Sequence, residues 1–178
     1  MSTVRHATAA DLPLIGPIED AGDALFTQLF GAVDWPAANT GEERAAEPGF
    51  LLVVEEPDTC EVVGFAHVLD LDGHHHLEQV AVLPEHGRRG HGSALLAGVA
   101  LEAARRGADA VTLMTYADVP WNGPFYATHG WVELAEVPEH LREIAEAEAR
   151  MGLERHGRRI VMARTVGPDL TPPGGSRA

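Results

Sequence analysis

From His76 to Leu96 the chain reads HLEQVAVLPEHGRRGHGSALL: a β-favouring run, a proline, a glycine-rich turn and an apolar, helix-forming stretch. A glycine-rich turn at a helix start gathers backbone N–H groups that have no intrahelical partner, at the positive end of the helix dipole. Without side chains in the way, a phosphate can approach them. Gly87, Gly90 and Gly92 provide such a turn, and Arg88 and Arg89 set two cations beside it. In a chain with formal net charge -14, local cations are not readily explained as generic surface solvation. The plain alternative is a strand-to-helix turn whose glycines serve only the backbone.

Upstream of the turn, His76 and Glu78 fall on one face of a strand by period-two alternation, about 7 Å apart. Either could take a proton from a bound substrate; the imidazole titrates nearer neutrality, and both also read as solvated strand residues. The run His74-His75-His76, with His67 across a hairpin, invites a metal reading. Consecutive strand residues point to opposite faces, so the three histidines do not converge and no metal is expected.

The elements that must hold these residues can be read in order. Thr3–Ala7 is a first strand, and Thr8 with Asp11 opens a short helix carrying Leu12 and Ile15 in the manner of a capping box. A second helix runs from Ile18 to Phe30. Glu19, Asp20 and Asp23 crowd its first half, either as partners of the helix dipole or as the wall of a binding site. Asp34–Gly49 is a loop with one helical turn near Glu42–Ala46. Phe50–Glu55, Glu61–Leu71 and the strand that holds His76 form an antiparallel meander. A helix over Gly92–Arg106, capped by Gly107, leads to a strand at Val111–Tyr116, a length that suits a parallel crossover. A short helix at Pro124–His129, a strand at Gly130–Leu134, a charged helix at Pro138–Met151 and a strand at Arg159–Thr165 complete the expectation. Residues 1–166 read as one domain and 167–178 as a disordered tail.

Composition narrows the function. With 27 acidic against 13 basic residues, the surface repels nucleic acid phosphates. No apolar run approaches the roughly 20 residues that span a bilayer. No secretory signal is evident, and a single Cys60 makes no internal disulfide, so a cytoplasmic location is expected.

Arg88-Arg89-Gly90-His91-Gly92-Ser93-Ala94-Leu95-Leu96, after Val80-Ala81-Val82-Leu83-Pro84, resembles the acetyl-CoA signature of the GNAT N-acetyltransferase superfamily, Gln/Arg-x-x-Gly-x-Gly/Ala. Gly87 stands at the first motif position, so the side chain usually found there is replaced by Arg88 or Arg89 or is absent. Trp121-Asn122-Gly123-Pro124-Phe125-Tyr126-Ala127-Thr128-His129-Gly130-Trp131 resembles a compressed form of the second signature of that family. The resemblance covers about residues 3–166. It implies an α/β GNAT fold: a mixed, mostly antiparallel sheet of about seven strands flanked by helices, with acetyl-CoA held where two parallel strands separate. It further implies acetyl transfer to a primary amine in a ternary complex, with Tyr126 as proton donor to the departing thiolate. A phenol of pKa about 10 stays protonated at neutral pH and can donate to a thiolate whose conjugate acid sits near 8.5. Glu78, His76 or an ordered water is the base. Val80, Ala81, Val82, Arg88, Arg89, Gly90, His91, Gly92, Ser93, Asn122 and Phe125 are implied as contacts of acetyl-CoA, the only cofactor expected. The acceptor is an amine, with a cationic one suggested by the carboxylates beside Phe26 and Phe30. The alternative is a catalytically idle acyl-CoA-binding domain; neither a nucleic acid nor a membrane partner is expected, and the chain is a monomer or homodimer.

Overall fold

A computed structural model describes residues 2–31, 33 and 35–167 of the chain. Alternating apolar residues build a sheet that is covered on both faces. In β2 (Gly49–Glu55), Leu51 and Val53 point one way and Leu52 and Val54 the other. The first pair packs with Phe65 against Ile15 and Ile18 of α1 (Leu12–Phe30). The second joins Ala66, Val68, Leu77, Val111 and Leu113 beneath Leu95, Leu96, Val99 and Ala103 of α3 (His91–Arg105). Each such side chain removed from water contributes about 1.5–3 kcal/mol, so both faces of the strand commit its register.

The sheet has seven strands. To β2 it adds β1 (Thr3–His6), β3 (Val62–Leu71), β4 (His74–Val82), β5 (Ala110–Tyr116), β6 (Val132–Glu133) and β7 (Arg159–Thr165), in the order β1-β2-β3-β4-β5-β7-β6. All neighbours are antiparallel except β4 and β5, which α3 connects as a parallel crossover. Asp72 and Gly73, both at positive φ, turn β3 into β4, and Gly107 at φ +83 follows the last turn of α3. The remaining helices are α2 (Gly41–Ala46), α4 (Gly123–Thr128) and α5 (Arg142–Met151). Among the described residues, no helix is long and apolar enough to cross a membrane.

Three expectations need correction. The two N-terminal helices are one: α1 runs through Pro17, whose missing N–H forfeits only the bond to the Pro13 carbonyl one turn from the start. The strand expected at Gly130–Leu134 shrinks to two residues, because Gly130 at φ +80 belongs to the turn that ends α4. The charged helix begins at Arg142, behind a 3₁₀ turn over Glu139–Leu141. Thr8 and Asp11 do cooperate at the helix entry: the Asp11 carboxylate accepts from the Thr8 amide and hydroxyl, both at 2.7 Å, and from Arg5. The hydrogen bonds from Arg5 hold that carboxyl well below the usual range. The expected tail, apart from Gly167, lies outside the described residues.

Candidate active site

The parallel strands β4 and β5 pair at three positions only: His75 with Val111, His76 with Thr112 and Leu77 with Leu113. The next residue of β4 is a bulge. Val68 of β3 faces Leu77 and His67 faces Gln79, which leaves Glu78 as the extra residue. Beyond it a cavity of about 950 Å³ is lined by Glu78–Val82 from one strand and Leu113–Tyr116 from the other. The bulge bends β4 at the point where the strands stop pairing, and the unpaired edge of β4 borders the opening.

One wall of this cavity is the start of α3. Gly90 is its cap, in the left-handed region at φ 89, and no side chain caps the helix. Ala94 makes the first intrahelical bond, to the Gly90 carbonyl at 2.9 Å, so the amides of His91, Gly92 and Ser93 precede the ladder and are available to an anion. Gly92 matters through space: a Cβ there would stand 3.2 Å from Cζ of Phe125. Gly87, by contrast, has an ordinary extended backbone at φ -62, and Arg88 takes the positive φ, at 59.

His76, Glu78, Val80, Ala81, Val82, Arg88, Gly90, His91, Gly92, Ser93, Asn122, Phe125 and Tyr126 all border this one cavity. Arg89 does not: it is more than half exposed and reaches 3.3 Å to Glu56. That carboxylate, just past the end of β2, gathers the glycine turn. The same oxygen lies 2.7 Å from Nδ1 of His86 and 3.3 Å from Nε2 of His91, whose Nδ1 meets the Ser2 hydroxyl at 3.0 Å. The hydrogen bond from His86 and the neighbouring positive charges hold Glu56 below its usual range. Glu56, His86 and His91 bring ligand-type atoms within 4.8 Å of one another, but the guanidinium of Arg89 already supplies a positive charge at the shared oxygen. The run His74-His75-His76 does not converge: His74 stacks on His140, His75 lies beside Phe50, and His76 meets Thr112.

The candidate bases have different surroundings. His76 is 2% exposed, its Nδ1 lies 3.0 Å from the Thr112 hydroxyl, and burial pushes its pKa down to about 4. Glu78 is displaced by the bulge toward Arg44 and His67, so simple alternation no longer describes the pair. Burial pushes the Glu78 carboxyl up; hydrogen bonds and charge from His67 and Arg44 outweigh that and leave it below the ordinary carboxylate range. Tyr126 is buried, packs at 6.0 Å between ring centroids from Trp131, and burial drives its hydroxyl far up, so it stays protonated.

Arg44 is the residue of the cavity wall that sequence reasoning missed. Its guanidinium is buried, bonds Glu19 at 2.6 Å and also binds Glu78, tying α1, α2 and β4 together at the cavity wall. The available signal was the capping box Thr40-x-x-Glu43, which fixes α2 and is formed in both directions. Because α1 begins at Leu12, Glu19, Asp20 and Asp23 lie beyond its first turn, and the helix dipole does not account for them.

The sequence matches the family described as Acetyltransferase (GNAT) family over residues 19–131. A mycothiol acetyltransferase from Kineococcus radiotolerans is 32% identical over 137 residues, covering 74% of this chain and 44% of that protein. Among solved structures, a GNAT-family acetyltransferase from Staphylococcus aureus superposes with TM-score 0.70 at 13% identity, covering 93% of this chain and 99% of that one. N-acetylglutamate synthase from Neisseria gonorrhoeae, complexed with coenzyme A and N-acetyl-glutamate, gives TM-score 0.66 at 19% identity, covering 93% of this chain and 35% of that one. The chain thus spans less than half the length of the mycothiol enzyme and of the synthase.

Proposed function

Because the chain belongs to the GNAT acetyltransferase family, we propose that it transfers the acetyl group of acetyl-CoA to a primary amine of a small molecule or an amino group, by direct attack in a ternary complex. The observation that carries this reading is one cavity bordered by the amide-rich start of α3, the protonated Tyr126 and the Glu78 carboxylate. The residues fit the cofactor: unladdered amides and Arg88 suit its phosphates, and the unpaired edge of β4 at Val80, Ala81 and Val82 suits an amide-bearing arm.

In this reading Glu78, ionised and part-exposed, receives the proton of the attacking ammonium, directly or through water. The neutral amine then forms the C–N bond at the thioester carbonyl, and the C–S bond breaks as the tetrahedral species collapses. Tyr126 gives its proton to the departing thiolate, the nitrogen releases its second proton to solvent as the amide forms, and Tyr126 is reprotonated from solvent. Glu78 is favoured over His76 because the imidazole is sequestered against Thr112 with its pKa near 4. The acidic surface and the single exposed Cys60 suit a cytoplasmic enzyme.

The test is thiol release from acetyl-CoA in the presence of an amine panel, with the acetylated product identified by mass. Silence across the panel from protein shown by calorimetry to bind acetyl-CoA would sink the catalytic reading and leave an idle acyl-CoA-binding domain.

A further inference from the structure

Part of the cavity wall is aromatic. Phe26 of α1 gathers Trp35 at 5.4 Å, Trp121 at 5.7 Å and Tyr116 at 6.0 Å between ring centroids, and all four border the cavity. Asp23, one turn before Phe26 on the same helix, borders it too. Its neighbour Glu19 is committed to Arg44, as is Glu78, whereas Asp23 has no ion-pair partner among the described residues. Burial pushes the Asp23 carboxyl up to about 6, helped by the charges of Glu19 and Asp20 and opposed by Arg44.

Charge narrows what this wall can face. Glu19, Asp23 and Glu78 border the cavity with Arg44 as their shared partner, Arg159 is matched by Glu148, and the remaining guanidinium, Arg88, belongs to the glycine turn ahead of α3. An anionic acceptor would meet repulsion, whereas a cation would pair with the Asp23 carboxylate and lie against aromatic rings. Such a seat is wrong for the reacting nitrogen, which must be neutral to attack and which an ion pair would keep protonated. It suits a charge that survives the reaction.

We propose that Asp23, with the aromatic walls of Phe26, Trp35 and Trp121, forms a seat for a second, non-reacting ammonium, so that the acceptor is a small amine carrying at least two positive charges. The proposal rests on the acetyl-transfer reading and names its acceptor class.

The probes are 1,4-diaminobutane and 4-amino-1-butanol, which share a carbon chain and a primary amine and differ at the far end, ammonium against hydroxyl. Thiol release gives kcat/KM for each. The wild-type protein favours the diamine by about tenfold or more, and Asp23→Asn or Trp121→Leu brings the ratio to within about threefold of unity. A wild-type ratio near unity, or a tenfold preference kept in both variants, overturns the seat and leaves acetyl transfer standing. If neither amine releases thiol, calorimetry of 1,4-diaminobutane with CoA-saturated protein decides separately. Binding that disappears in Asp23→Asn upholds the seat while counting against acetyl transfer; absence of binding overturns the seat.

Discussion

His76 makes a measurable demand on the pH dependence of stability. Its imidazole is 2% exposed, and its pKa is lowered from 6.5 to about 4, chiefly by burial, with Glu78 opposing and His140 adding to the shift. The unfolded chain takes a proton at its ordinary pKa and the folded chain refuses it until about 4. This residue's contribution is therefore intact above pH 6.5, falls as the pH drops from there to about 4, and is level below. At about 1.4 kcal/mol per unit, the loss between pH 7 and pH 5 is about 2 kcal/mol. His76→Asn keeps a polar atom toward Thr112 and cannot titrate. Urea unfolding of both proteins at pH 7 and pH 5 isolates the term, because the other ionisable groups are common to both. The wild type is expected to lose about 2 kcal/mol more than the variant over that interval. Equal losses, or a resonance assigned to His76 titrating at 6.5 or above in the folded protein, would refute the buried neutral imidazole and return His76 to contention as the base.

Three further outcomes follow from the site. Tyr126→Phe keeps the ring against Trp131 and removes only the proton, so kcat falls by about a hundredfold while acetyl-CoA affinity is retained; unchanged turnover would make Tyr126 a packing residue. Gly92→Val drives a side chain toward Phe125, which a Cβ already meets at 3.2 Å, and crowds the amides; calorimetry should show acetyl-CoA bound about tenfold more weakly by a folded protein, and unaltered affinity would remove the turn from the account. Glu56→Gln withdraws the charge that gathers His86, Arg89 and His91, so KM for acetyl-CoA should rise by about threefold to tenfold at nearly constant kcat, and an unchanged KM would leave that cluster without a positioning role.

The sequence was most legible where local chemistry decides the structure. Apolar runs bounded by turn residues gave β2 and β3, Asp72-Gly73 gave the turn between β3 and β4, and Gly107 ended α3 within a residue of the expected place. It was least legible where one long-range contact overrides a local signal. The segment carrying Leu12 and Ile15 and the segment from Ile18 to Phe30 read as two helices, but burial of Ile15 and Ile18 on the same sheet face holds both in one line. Alternation put His76 and Glu78 together, but the bulge at Glu78 is a property of pairing with β3 that no residue type announces. Arg44 drew no notice in the sequence because its partners, Glu19 and Glu78, lie 25 and 34 residues away. Gly90 and Gly92 were legible as a turn, whereas Glu56 as its anchor was not.

The paired carboxylates on Arg44 also shape which sequences this fold can visit. A buried cation left alone costs several kcal/mol, enough to remove a variant from the folded population. Here the guanidinium has two counter-ions from different elements, Glu19 on α1 and Glu78 on β4. Loss of either leaves an ion pair, so the position of Glu19 on α1 and that of Glu78 at the bulge of β4 can each change without leaving Arg44 unpaired. Loss of Arg44 instead strands two like charges together, so that position can change only after its neighbours have. The order in which substitutions can accumulate around this part of the cavity is thus written into a single side chain, and diversification at this wall proceeds from the carboxylates inward.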